Sequence, residues 1–180
     1  MNYLKYKSQE MQGLSFTADF DYYFSNSFGV GAFINRFVYN DELMNQDFIL
    51  SNGAVVKGDF ANRIRMNFYG AKMCYRSYFL KDKAVLGLNL GVGYLGYKDM
   101  QSVVESYKVQ GKSFGSMAEI DLNFFILENF SLGLDASWIN GVLWKYRVIN
   151  GGHLKVIELN RDDYIDISRS NISFTVSYYW

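Results

Sequence analysis

A two-residue alternation of apolar and polar side chains recurs along this sequence from Leu14 to Trp180, and it narrows the possible folds more than any other feature. Leu14, Phe16, Ala18, Phe20, Tyr22 and Phe24 alternate with Ser15, Thr17, Asp19, Asp21 and Tyr23. The same period governs residues 28–34, 86–94, 118–126, 130–138 and 172–180, and a less regular version is centred on Tyr69, Ala71, Met73 and Tyr75. Successive side chains of a strand point to opposite faces, so each segment reads as a strand with one apolar face. No helical period competes. The sequence predicts an all-β chain with seven clear strands.

The connections are sorted by length. Ser25-Asn26-Ser27, Leu80-Lys81-Asp82-Lys83 and Glu128-Asn129 are tight, whereas residues 40–62, 99–114 and 140–163 are long and polar. Asn52-Gly53 and Asn150-Gly151-Gly152 carry the turn chemistry of hairpins within two of the long stretches. Short turns at one rim and long loops at the other characterise barrels that cross an outer membrane. There is no linker or low-complexity tract, so residues 1–180 are expected to form a single domain.

The two faces then have to be told apart. A soluble barrel, such as a lipocalin-like ligand carrier, wets its polar face, where about a quarter to a third of residues are charged. Here that face is mostly Ser, Thr, Asn and Gly, and charges such as Asp41, Glu42, Lys57, Asp59, Arg161 and Asp162 gather in the long stretches. Small polar residues suit the narrow interior of an eight-stranded barrel. The aromatic residues give a length: Phe16 to Phe24, and Phe130 to Trp138, each span eight residues on the apolar face. At about 3.4 Å per residue and a tilt of about 40° they rise roughly 21 Å, close to the apolar band of roughly 25 Å between two aromatic girdles. Phe16, Phe24, Tyr94, Phe130, Trp138, Tyr178 and Trp180 are the expected membrane-interface aromatics. The expected architecture is an antiparallel up-and-down transmembrane β-barrel.

Residues 88–94 (Leu-Asn-Leu-Gly-Val-Gly-Tyr) and the ending 172–180 (Ile-Ser-Phe-Thr-Val-Ser-Tyr-Tyr-Trp) carry a family resemblance. The chain resembles the small eight-stranded outer-membrane β-barrel family, the OmpA/OmpX-like group, over nearly its whole length. That resemblance implies a Gram-negative outer membrane, outer-membrane lipid as a partner, and recognition of the C-terminal strand by the barrel-assembly machinery. Family members usually end in Phe, so Trp180 is a departure. The resemblance leaves the ligand of the exposed loops unknown, because the family includes adhesins and tethers.

Composition and motifs exclude several chemistries. The 18 basic and 18 acidic residues cancel, which leaves no global field for nucleic acid. One cysteine (Cys74) and one histidine (His153) supply no cysteine-rich or histidine-rich metal site, and no cofactor is expected. Residues 91–96 match G-x-G-x-x-G but lie within a strand, where the dinucleotide motif needs a strand-to-helix turn. Asp19, Asp21, Lys72, Arg76, Glu119, Asp121 and Asp135 share the polar face near the tight turns. They are expected to meet at one level and plug the interior by mutual pairing, with a gated ion path as the alternative. Ser173 and Asn89 read as small fillers tolerant of similar polar residues. The functional expectation is a non-enzymatic surface protein. A soluble ligand-binding barrel, or a small outer-membrane enzyme or channel, are the alternatives.

Strand parity adds one further expectation. Bacterial single-chain barrels have an even number of strands, and in a seven-stranded meander the first and last strands run parallel. With the tight turns in the periplasm, β-strand order places Met1 on the outer side, so the first strand of the barrel is expected to precede Met1 or to be truncated at residues 2–7.

Overall fold

A computed structural model of the chain describes residues 12–49, 55–102, 106–150, 152–160 and 163–180. These residues are strands and the turns between them. β1 (Leu14–Tyr23), β2 (Phe28–Ile49), β3 (Val55–Phe79), β4 (Ala84–Ser102), β5 (Ser106–Leu127), β6 (Phe130–Leu143) and β10 (Arg169–Tyr178) pair in that order as one antiparallel up-and-down path. β7 (Lys145–Asn150) and β8 (His153–Glu158) form a hairpin laid against β5, and the short β9 (Ile165–Asp166) pairs with β6. Each of the seven path strands grows from one of the alternating segments, and the tight turns fall where expected. The first is closed by Ser25 Oγ, which accepts from the Phe28 amide at 2.8 Å.

The long polar stretches differ from the expectation. The β2–β3 ladder continues to Ile49 opposite Val55, and the β4–β5 ladder to Ser102 opposite Ser106. Much of residues 40–62 and 99–114 is therefore strand and not loop. The hairpin expected at residues 150–152 is present, with Gly152 at φ 84° in the left-handed region that glycine adopts without strain. The turn at Asn52-Gly53 lies outside the described residues.

Burial follows strand parity, but in an inverted sense. Near the tight turns the apolar positions face outward: Ile172, Phe174 and Val176 are 85, 91 and 73 % exposed. The polar positions face inward, and Asn89, Glu119, Asn123, Ser131 and Asp135 are buried. Toward the long connections the same parity stays buried, but its side chains become apolar and the outward ones polar. On β3, Ile64, Met66 and Phe68 are buried while Arg63, Arg65 and Asn67 face out. From Tyr69 onward Tyr69, Met73 and Tyr75 are exposed while Lys72 and Cys74 are buried. Phe33, Phe37, Leu95, Met117, Ile139, Leu143 and Ile167 complete an apolar interior in the loop-side half. The expectation of a uniformly small and polar interior thus holds only for the turn-side half.

The sheet curls without closing. β1 and β10 are its two edges, both run from the loop end to the turn end, and no backbone ladder joins them. Their ends nevertheless approach: the rings of Phe20 and Trp180 stack at 5.4 Å between centroids. The eight-strand count expected from the sequence is accordingly not reached by the described path, which has seven strands.

Candidate functional site

Charge is concentrated in the turn-side half of the interior. Lys72, on β3, is 4 % exposed. Its Nζ lies 3.2 Å from Asp19 Oδ1, 3.3 Å from Asp21 Oδ2 and 3.7 Å from Glu119 Oε1, so one cation joins β1 to β5 across the curl. Asn89 Nδ2 on β4 donates to Glu119 Oε1 at 2.8 Å and to Asp121 Oδ2 at 3.1 Å. Asn123 Nδ2 donates to Asp121 Oδ1 at 2.6 Å, and its own oxygen accepts from Thr175 on β10 at 2.9 Å. Asp135 faces Asp121 directly across the β5–β6 ladder and is hydrogen-bonded by Ser173.

Glycine makes this crowding possible. Gly31, Gly87 and Gly133 are the cross-strand partners of Asp21, Asp121 and Asn123. A Cβ built at Gly31 would stand 2.0 Å from Asp21 Oδ1, and one at Gly87 2.0 Å from Asp121 Oδ2. Asp21 and Asp121 are thus each folded over a neighbour without a side chain. The G-x-G-x-x-G match is part of the same packing: a Cβ on Gly91 would meet Phe33 at 2.9 Å.

Six of the seven expected charges share this region, and Arg76 departs from it. Its guanidinium lies 3.7 Å from the Tyr23 ring centroid and 5.2 Å from that of Tyr78, while Nε donates to the Asn26 carbonyl at 3.1 Å. The side chain reaches down to the first turn, where aromatic faces and a carbonyl attract a guanidinium without the desolvation of the interior. Asn89 is also more than the interchangeable filler expected of it, because its amide holds two carboxylates. Cys74 is buried and inward, opposite Asn89. His153 is exposed at the β7–β8 hairpin. Among the described residues no group of three or more His, Cys, Asp or Glu side chains has the geometry to hold a metal ion.

The expected interface aromatics all lie on the outward face. Phe130, Tyr178 and Trp180 cluster at the turn end, with Phe130 and Tyr178 at 5.0 Å and Tyr178 and Trp180 at 6.4 Å, and Phe24 is exposed at that end. Tyr94 stands between Tyr69 at 5.5 Å and Phe114 at 6.1 Å at the level where the polarity of the two faces reverses. Phe16 and Trp138 are exposed on β1 and β6.

No family model matches the sequence. No curated protein matches it either. Among solved structures, the crystal structure of the outer membrane protease OmpT from Escherichia coli superposes with a TM-score of 0.57 at 8 % identity, over 91 % of this chain and 62 % of OmpT. The chain shares its fold with an outer-membrane β-barrel protein. It spans less than two thirds of OmpT's length, and at this identity the likeness is one of fold.

Two polar groups in the loop-side half are not apparent from the sequence. Arg169 points inward from β10, donating to Asn35 Oδ1 and to Met66 Sδ at 3.2 Å. Asn35 in turn donates to Ser15 and Thr17 on β1 at 2.9 and 2.8 Å, so this chain of bonds ties the two edge regions together. Asp99 is 3 % exposed and accepts from Gln101 at 2.9 Å and Tyr97 at 3.4 Å. Burial pushes its carboxyl above the usual range against those two donors.

Proposed function

We propose that this protein is a non-enzymatic integral outer-membrane β-barrel, with a side-chain-filled interior and long strands that carry its loops beyond the cell surface. The reading is carried by a reversal of polarity along single strands: one parity stays buried throughout, but it is apolar in the loop-side half and polar in the turn-side half. A soluble sheet keeps its apolar face inside along its whole length, and soluble monomers rarely expose a large contiguous apolar patch. Here the turn-side half is apolar outside and polar inside, as a bilayer requires, and the loop-side half has the polarity of a protein in water.

The height of the reversal agrees with tilted strands. It falls on direct cross-strand partners Ile34, Tyr69, Tyr94 and Phe114. On β1 the exposed apolar positions start higher, at Leu14 opposite Val38, and on β6 they end lower, at Trp138 opposite Ala118. A level boundary must drift against the hydrogen-bonded rungs in this way when strands tilt.

The OmpA/OmpX-like, eight-stranded assignment belongs to the same proposal. β1 and β10, the edges of the described sheet, run parallel, so an eight-stranded closure would need one further strand antiparallel to both. The C-terminal strand is then the element offered to the barrel-assembly machinery, and the extended β2–β5 hairpins meet a loop ligand outside. The inward carboxylates are held by Lys72, Asn89 and Asn123 within a filled interior, which favours a structural plug over acid–base chemistry.

Two measurements test this. The expressed chain is expected in the outer-membrane fraction, with external protease cutting only the loop-side hairpins. In planar bilayers it should show little or no conductance. A soluble periplasmic protein would overturn the membrane reading, and large stable channels would overturn the plug.

A further inference from the structure

The outward face just beyond the apolar band is strongly and one-sidedly charged. The first outward rung past Ile34, Tyr69, Tyr94 and Phe114 is Arg36, Asn67, Gly96 and Lys112; the next is Val38, Arg65, Lys98 and Gln110; the third is Asn40, Arg63, Met100 and Lys108. These twelve positions hold six cations and no carboxylate. The chain as a whole is neutral, with 18 residues of each sign, so the belt reflects a separation of charge: three carboxylates share one lysine inside, and cations collect outside.

Among the described residues none of the six is ion-paired, in contrast to Lys145 at the edge of the belt, which binds Glu158. Local contacts orient them. Arg63 Nε donates to Asn40 Oδ1 at 2.9 Å, and Lys112 Nζ lies 5.7 Å from the centroid of the Tyr94 ring. Arg65 Nε is shielded from solvent and has no hydrogen-bond acceptor among the described residues.

We propose that this belt binds the phosphate groups of anionic lipids in the leaflet that meets the loop end. The inference rests on the membrane reading above. On each strand the first cation stands two to four residues past the apolar boundary, a rise of roughly 5–10 Å along a strand tilted by about 40°. That is the depth of headgroup phosphates. A soluble anion has no need of a hydrocarbon-facing surface at that distance, whereas an amphiphile places its acyl chains on Tyr69, Val92 and Leu90 while its phosphate meets the belt. Guanidinium groups match phosphate with paired donors, and lysines add compact charge.

The test reconstitutes the full chain in nanodiscs of phosphatidylcholine alone, with added phosphatidylglycerol, or with added lipid A, and counts retained lipids by native mass spectrometry. The wild type should retain the anionic lipids preferentially, and its preference should weaken as salt is raised from 0.15 to about 1 M. Arg36→Gln/Arg65→Gln/Lys98→Gln/Lys112→Gln should insert in phosphatidylcholine but lose at least about tenfold in retention, given roughly 1 kcal/mol per cation near an anionic surface. Arg36→Lys/Arg65→Lys should keep most of it. Equal retention of neutral and anionic lipid by the wild type, independent of salt, would overturn the proposal even if the quadruple variant failed to insert. So would displacement of the lipid by equimolar inorganic phosphate, which would mark a site for soluble anions. A wild type that enters none of these bilayers would instead defeat the membrane reading itself.

Discussion

Lys72→Met is expected to lower stability by about 3–5 kcal/mol, the usual cost of removing one partner from a buried charge cluster. Methionine fills a similar volume, so the loss is one of charge and not of packing. Lys72 is the only cation within 4 Å of Asp19, Asp21 and Glu119 among the described residues, and without it three carboxylates face one another in the interior. Urea unfolding of the reconstituted protein gives the measurement. A compensating variant, Lys72→Met with Asp19→Asn and Glu119→Gln, should recover a substantial part of the loss, because the coupled groups are removed together. An unchanged unfolding midpoint for Lys72→Met alone would show that water solvates these carboxylates independently.

Arginine on the outward face should cost an amount that depends on depth. Leu88 lies opposite Tyr75 and Ile120, and Leu134 opposite Phe174 and Leu122, in the middle of the exposed apolar surface. Leu88→Arg and Leu134→Arg are each expected to destabilise by about 2–4 kcal/mol, as for a charge at the bilayer midplane. At the boundary, Tyr94→Arg should cost about 0–1 kcal/mol. Beyond it, Asn67→Arg should be close to neutral. The gradient discriminates between accounts: in a soluble protein all four positions face water, and arginine would be tolerated equally well at each. Folding titrations into bilayers of fixed thickness read the differences directly.

The alternation made the strands, the tight turns and the two faces legible in the sequence, because each depends on neighbours within a few residues. Asp19, Asp21 and Lys72 could be placed on one face by parity alone. Their distances could not, since those depend on how the sheet curls. Arg76 shares that parity, yet its long side chain leaves the level of its Cα for the Tyr23 ring, which no pattern of residues along β3 discloses. The glycines opposite Asp21 and Asp121 were visible as residues but not as partners, because the register between strands was unknown.

The loop-side strands were concealed for a different reason. Residues 62–68 read Asn-Arg-Ile-Arg-Met-Asn-Phe, which has period two, but in the opposite phase to residues 69–75. Averaged over the two phases the segment looks merely polar. The reversal itself is the informative feature, because on the proposed membrane reading it marks the change of surroundings from lipid to water along one strand. Arg169 was missed by the same averaging, since it stands at the start of β10 beyond the apolar run.

On the membrane reading one strand meets lipid below this reversal and water above it, and β4 reports this most directly. Nitroxide labels placed singly at residues 86–99, in a Cys74→Ser background, can be read in phosphatidylcholine bilayers for collision with oxygen, which concentrates in lipid, and with a water-soluble nickel chelate. High oxygen and low nickel accessibility are expected at 86, 88, 90 and 92. Residues 96 and 98 should be accessible to nickel, and 87, 89, 91, 95 and 99 should meet little of either reagent. Nickel reaching residues 86–92 as readily as 96 and 98 would place that face in water and contradict the account.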